Sequence, residues 1–479
     1  MSAFAAITDP TDLDAIRDAI TSTPDAADLV PLGIRSLVIS PEASFGLVAA
    51  VESLVTGVSQ GPRRIAVLID KTTILRNGRD LKQHLCELLA EVFEVEVISL
   101  GRPGELHADD DALDAATAAI AGCECIVAIG GGTISDIGKV ATDRQGGIPL
   151  VIVQTAASVD GFTDNVSVVL RNGVKRTIPS RWPDIVLADT TTIADAPAAM
   201  NTAGFGEVLS LYTAPADWEL ANRLGFDDSF RRTPRDFLLE FAGDPATWAE
   251  GLAEGDPGAV LDLTRMLAIR GIGTGIAGTT ACLSGVEHVV SHMLDMYAAA
   301  HALPTGLHGA QVGVATQIAS AAWDLLRRKV ADGEITLNFA DSDLEHQVKR
   351  AFDNCDETGG RGEECWSDYS RKIAAWNADP ERMRGLVADL VTDGLAIAAS
   401  VPAPESFSAG LRAAGSPSTP DGLASWVTPE IWRWAVMNCH FMRDRFTVVD
   451  LLFLLGWWTA EDVDSVIAQA FLTEKEPTT

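Results

Sequence analysis

Between Arg63 and Asp189 the chain moves through short, uniformly apolar runs separated by longer segments with helical spacing. Ile65–Ile69 reads Ile-Ala-Val-Leu-Ile, with no polar residue at alternate positions. A strand with one wet face would alternate, so a run of this kind predicts a strand covered on both sides. Cys125–Ile129, Leu150–Val153 and Ile185–Ala188 have the same texture, Val95–Leu100 reads as a further strand, and Leu81–Phe93 and Asp109–Ala121 carry helical spacing between them. Strands alternating with helices predict an α/β domain built on a parallel, Rossmann-like sheet with helices on both faces. From about Ala194 the chain turns to Ala-, Leu- and Trp-rich stretches broken by Gly and Pro, which predicts an all-α second domain. The expected organisation is a polar, partly helical arm over 1–30, an α/β domain over 31–205 and a helical domain over 206–479, with the crossover between 195 and 215. Residues 333–379 are polar and glycine-rich and read as an insertion or an elaborated loop, and Thr473–Thr479 as a polar tail.

Two places carry candidate chemistry. The apolar run Cys125–Ile129 leads directly into Gly130-Gly131-Gly132-Thr133-Ile134-Ser135-Asp136. Glycines between a strand and a helix let a backbone approach a pyrophosphate, whose charge the free amides of the helix start then stabilise. The same glycines also serve ordinary tight turns. Asp70, at the end of the first core strand, is placed to accept from ribose hydroxyls or to be a plain loop residue. The second place is Ser284-Gly285-Val286-Glu287-His288-Val289-Val290-Ser291-His292, followed by Leu307-His308-Gly309. Of eight histidines in the chain, His288, His292, His301 and His308 fall close together. His288 and His292, four apart, share one helix face. A metal needs several N or O donors arriving from different segments, and Glu207, at the start of the helical half, is the candidate carboxylate. Taken alone, it reads equally well as a helix-start glutamate.

The net charge of −31 and a pI near 4.5 disfavour nucleic acid and anionic membranes as partners, since both would be repelled. Seven scattered cysteines without a paired framework fit a reduced, cytoplasmic compartment. Met1–Pro31 lacks a basic start and an apolar core, so no secretory leader is expected there.

Taken together, these stretches resemble the iron-containing alcohol dehydrogenase and dehydroquinate-synthase-like superfamily, and within it the sn-glycerol-1-phosphate dehydrogenases, especially the bacterial ones. The residues that carry the resemblance are Gly130–Lys139, Gln154–Gly161, Val174–Pro179, Ala188-Asp189-Thr190, Tyr212–Trp218, the His288 and His308 segments, Glu364-Cys365-Trp366 and Arg443–Leu451. They span roughly residues 60–460. The resemblance implies a dehydroquinate-synthase-like fold and a set of roles. Gly130, Gly131, Gly132 and Thr133 would hold the NAD(P) pyrophosphate, with Thr155 and Ser158 lining the cofactor pocket. Asp160 would meet the substrate, and Lys175 would anchor an anionic group on it. Glu207, His288 and His308 would bind Zn²⁺ or Fe²⁺, while His292 would face the reacting centre.

Those roles describe a metal-dependent, NAD(P)-linked oxidoreductase acting on a small, phosphorylated polyol or carbonyl compound, as a homo-oligomer, a homodimer being the expected form. Two alternatives use the same residues. A two-histidine, one-carboxylate set with open positions also suits non-haem iron oxygen chemistry, and a dehydroquinate-synthase-like cyclase would recycle a bound NAD. The chain departs from the family pattern at Glu207, where the dehydrogenases carry Asp, and at Leu211, where they carry Lys or Asn. It departs again at Gln154 and Val159. Leu211 in particular predicts a larger or less polar substrate than glycerol phosphate.

Overall fold

The computed structural model describes residues 3–55, 63–102, 106–171, 174–244, 248–332, 335–339, 343–356 and 358–472, with Val174 and Lys175 described in their backbone only. Strand β1 is Ser36–Ser40, β2 Arg64–Asp70, β3 Glu94–Leu100, β4 Cys125–Gly130, β5 Leu150–Gln154, β6 Val166–Arg171, β7 Val174–Pro179 and β8 Ile185–Asp189. Six of them form one parallel sheet in the order β1-β8-β5-β4-β2-β3, while β6 and β7 pair as a separate antiparallel hairpin. Each uniformly apolar run lies in this sheet. Every residue of β4, β5 and β8 is buried, which is why these runs do not alternate.

Helices cover both sheet faces. Helix α1 (Leu81–Ala90) sets Leu85 and Leu89 against the face made by Ile65, Val67, Val127 and Val151. Helix α2 (Asp110–Ala119) follows β3, its Asp109 cap accepting from Ala112 N–H at 2.9 Å. Helix α3 (Gly132–Arg144) lies on the opposite face, where a Cβ on Gly138 would stand 3.2 Å from Ala128 Cβ and 3.4 Å from Leu150 Cδ1.

The remaining helices used below are α4 (Ala198–Val208), α5 (Pro257–Ala277), α6 (Val286–Ala300), α7 (His308–Asp332), α8 (Leu344–Ala351), α9 (Gly360–Ala378) and α10 (Val448–Leu454). The chain divides into two compact units. The first is Met1–Gly204 with Arg231–Gly243 and Ala249–Thr279, and the second is Phe205–Phe230, Asp244–Trp248 and Thr280–Thr479. Helix α5 thus belongs to the α/β unit, although its sequence places it in the helical half. The helical unit has its own core, in which Trp323, Trp376 and Trp432 are almost wholly covered. The stretch 333–379, expected as an insertion or loop, contains α8 and α9 and sends Cys365, Tyr369 and Trp376 into that core. The expected tail, 473–479, lies outside the described residues. Among the described residues no single helix is long and apolar enough to cross a membrane.

Candidate metal centre and nucleotide turn

Glu207 lies at the end of α4 and is 4% exposed. It sits close to the second strip of chain because glycine lets it. A Cβ on Gly206 would fall 2.2 Å from the carbonyl oxygen of Gly309, inside any permissible contact. His288, in the first turn of α6, and His308, the first residue of α7, complete the group. Glu207 Oε1 is 3.3 Å from His288 Nε2, and Oε2 is 3.9 Å from His308 Nε2. Two donors on one ion at about 2.0–2.2 Å each stand at such separations. Each of the three residues offers one ligand atom, all within 4.8 Å of one another.

The electrostatics agree with a cation at this point. Burial opposes a charge on His288, but Glu207 and Glu287 outweigh it and push its pKa up to about 9. The carboxylates therefore call for positive charge here, which a proton or a divalent ion satisfies. The donor set suits Zn²⁺ or Fe²⁺.

Sequence reasoning misses the residues behind the ligands. Glu287 Oε1 is 3.0 Å from His288 Nδ1, and it also accepts from Gly285 N–H at 2.7 Å. Its Oε2 accepts from Thr213 Oγ1 at 2.9 Å. Ser291 Oγ stands 3.0 Å from His308 Nδ1 and donates to Gln311 Oε1 at 2.7 Å. Asp217 accepts from the amides of Val286 and Val448, and burial followed by the nearby Glu287 raises its pKa well above the carboxylate range. A charged residue between Val286 and His288 in an otherwise apolar segment was the one available signal for Glu287.

His292 comes into the same cluster, its ring centroid 6.4 Å from that of His288 and 5.4 Å from that of His308. It contributes no atom to the three-donor group. His301 stays apart, exposed and 2.9 Å from the carbonyl oxygen of Asn354. Leu211 is completely covered. A side chain with no exposed surface does not line an open substrate site, so of the two departures behind the expectation of a larger or less polar substrate, Glu207 and Leu211, only Glu207 lies at the candidate centre.

The glycine turn belongs to the α/β unit. Gly130 ends β4, Gly131 caps α3, and Gly132 begins it. A Cβ on Gly131 would meet nothing within 4 Å, so open space faces the helix start at this residue. At Gly132 a Cβ would strike Val159 Cγ2 at 2.6 Å. Thr133 is exposed, Thr155 is buried with its amide on Gly130 O at 3.2 Å, and Ser158 is partly exposed. Open space beside a glycine at a helix N-terminus suits a pyrophosphate.

Asp70 ends β2 and is ion-paired with the buried Lys82, whose ammonium also donates to Asp70 O at 3.0 Å and Thr72 O at 2.7 Å. Asp160 is held by the buried Arg270, with Nε 3.1 Å from Oδ2. That contact fixes the Asp160 carboxylate in place. Lys175 is paired with Leu170 in the β6–β7 hairpin, and its side chain lies outside what is described. A buried cluster missed from the sequence sits nearby. Lys139 Nζ lies 2.5 Å from Asp164 and 3.2 Å from Asp136, and it donates to Gly161 O at 2.6 Å, fastening the 155–166 segment to α3. Burial, against the pull of Lys139, pushes Asp164 up to about 7.

The comparisons fall in line with this geometry. Residues 44–197 match the family described as iron-containing alcohol dehydrogenase. A glycerol-1-phosphate dehydrogenase [NAD(P)+] of Bacillus velezensis is 34% identical over 200 residues, covering 41% of this chain and 50% of that protein. The protein of the same name from Geobacillus thermodenitrificans is 27% identical over 365 residues, covering 74% and 83%. In the first case, then, the matched part spans only half of the relative's length. Maleylacetate reductase from Agrobacterium tumefaciens has the same fold, with a TM-score of 0.52, 16% identity and coverage of 92% and 97%. The chain thus shares a fold with maleylacetate reductase, and the matches to glycerol-1-phosphate dehydrogenases agree with the resemblance drawn from the motifs.

Proposed function

We propose that this chain is a metal-dependent, NAD(P)-linked oxidoreductase that interconverts a small phosphorylated ketone and its alcohol, as glycerol-1-phosphate dehydrogenases do. The observation that carries the reading is the convergence of Glu207, His288 and His308. A divalent ion bound there supplies Lewis-acid polarisation of a substrate oxygen. NAD(P), when bound, supplies or takes the hydride.

The chain's own residues divide the remaining work. Gly130, Gly131, Gly132 and Thr133 give the pyrophosphate a backbone it can approach, and Asp70, held by Lys82, is oriented toward ribose hydroxyls. Thr155 and Ser158 line the cofactor side. Asp160, fixed by Arg270, meets the substrate, and Lys175 receives the phosphate. His292 carries the proton: its ring stands beside the ligand rings without entering the donor group.

Three measurements on the purified chain test this. His288→Ala and His308→Ala should each lose the bound divalent metal while keeping the parent's circular dichroism. NADH or NADPH fluorescence should show saturable binding. Dihydroxyacetone phosphate should be reduced with a kcat/KM of at least ~10⁴ M⁻¹s⁻¹, the lower end of ordinary enzymes. Full metal occupancy in both alanine variants would remove the ligand assignment. Absence of nicotinamide binding in the parent would remove the dehydrogenase reading.

A further inference from the structure

We infer that Glu287 and Ser291 are positioning residues that set the tautomer and direction of the two histidine ligands, and that Glu287 adds a second buried negative charge that holds the cation. The inference rests on the metal reading above. It starts from helix geometry. Adjacent residues on a helix do not face each other, yet Glu287 folds back to reach the ring of its neighbour, with Oε1 3.0 Å from His288 Nδ1. The carboxylate is pinned in that posture by Gly285 N–H on Oε1 and by Thr213 Oγ1 on Oε2. Glu287 has no exposed surface, so no bulk water substitutes for these contacts. Gly285 is part of the device: a Cβ there would stand 3.0 Å from Glu287 Oε2 and 2.5 Å from Asp217 Oδ2. By donating its Nδ1 proton to Glu287, His288 turns Nε2 toward Glu207, so that Nε2 is the nitrogen a metal ion takes when it displaces the proton there.

His308 is set by a different route to the same result. Ser291 has one hydroxyl proton, and it goes to Gln311 Oε1 at 2.7 Å, an atom that only accepts. The Ser291 oxygen is then left to accept from His308 Nδ1–H at 3.0 Å. That places a ring proton on Nδ1 and turns Nε2 toward Glu207. Both ligands are thus fixed before any ion arrives. Partners of this kind typically alter metal affinity by about 10- to 100-fold when removed. Glu287 differs from Ser291 in also carrying charge, so its loss weakens attraction as well as orientation.

The test uses the full chain, stripped with chelator and titrated with Co²⁺ and Zn²⁺ against a chromophoric competitor. Glu287→Gln keeps the shape and removes the charge, and it should bind both ions about 10- to 100-fold more weakly. Ser291→Ala should bind them about 10-fold more weakly. In both variants the visible Co²⁺ spectrum should change, which a loss of fold stability alone would not produce. If Glu287→Gln does not fold, Ser291→Ala decides the matter, since its hydroxyl serves only His308 and Gln311. Parent affinity and parent spectrum in the folded variants would overturn the inference while leaving the metal reading intact. A parent chain that binds neither ion would overturn both.

Discussion

Two glycines show how one residue type serves packing at one place and a ligand at another. Gly206 has no room for a methyl group, since Gly309 O would be 2.2 Å away and Gly313 Cα 3.2 Å. Ala is favoured over Gly in a helix by about 1 kcal/mol, but overpacking of a buried contact costs about 1–3 kcal/mol, so the clash wins. Gly206→Ala should lower the urea midpoint and weaken metal binding, because Glu207 is the next residue. Gly131 faces open space and has an ordinary backbone, with φ −88°. Gly131→Val should leave the urea midpoint within error of the parent and abolish NAD(P)H binding in a fluorescence titration. A Gly131→Val chain that binds NAD(P)H normally would show that the pyrophosphate goes elsewhere. The two proposed histidine ligands stood out because histidine is rare in this chain and its spacing is informative. Glu287, Ser291 and Gln311 were not, because their role lies in which atom each one reaches, and no periodicity encodes that.

At the scale of elements, helix α9 shows where composition misleads. Its surface is charged and it starts in glycine, so 333–379 reads as an insertion or an elaborated loop, and within it Cys365, Tyr369, Ile373 and Trp376 fall at helical spacing and are buried. The same helix sends Lys372 inward, where it donates to Asp450 at 2.6 Å and to His440 O at 2.7 Å, tying α9 to α10. Burial raises the pKa of Asp450 even with Lys372 present to lower it. Lys372→Met leaves that carboxylate buried and unpaired, which costs about 3–5 kcal/mol. The sign of the pH dependence follows. An acid with a raised folded pKa binds protons more tightly folded than unfolded, so its penalty grows as pH rises above the unfolded value and shrinks as pH falls. Lys372→Met should therefore lie closer to the parent in denaturant midpoint at pH 5 than at pH 7.5, and a constant gap would refute the assignment. Strands β2, β4, β5 and β8 were legible to within a residue or two because they are uniformly apolar and almost wholly buried. Strand β1 was not, since it lies at a sheet edge and buries only Leu37. The β6–β7 hairpin was also missed, being an antiparallel ribbon outside the main sheet.

For the whole molecule, the division into two units separates the two proposed ligands. The glycine turn lies in the first unit, and all three metal ligands lie in the second. Each unit also holds a cysteine that can report on it. Cys125 is fully covered in β4, and Cys439 is 1% exposed in the helical core. Burial pushes Cys125 up to about 12 and raises Cys439 still more strongly, so neither thiol reacts until its surroundings open. A ligand that binds only the closed form of a unit slows that opening by RT ln(1 + [L]/Kd), about 2.7 kcal/mol at 100 times Kd, which is about 100-fold in rate. Saturating Zn²⁺ should therefore slow labelling of Cys439 by up to about 100-fold and leave Cys125 nearly unchanged, while NAD(P)H should do the reverse. Alkylation in mild denaturant, read site by site by mass spectrometry, gives both rates in one experiment. Equal protection of the two thiols by either ligand would mean that the units open as one cooperative body and that the contact-based division has no thermodynamic counterpart. Protection of Cys125 by metal alone would move the metal site out of the helical unit and overturn the ligand set.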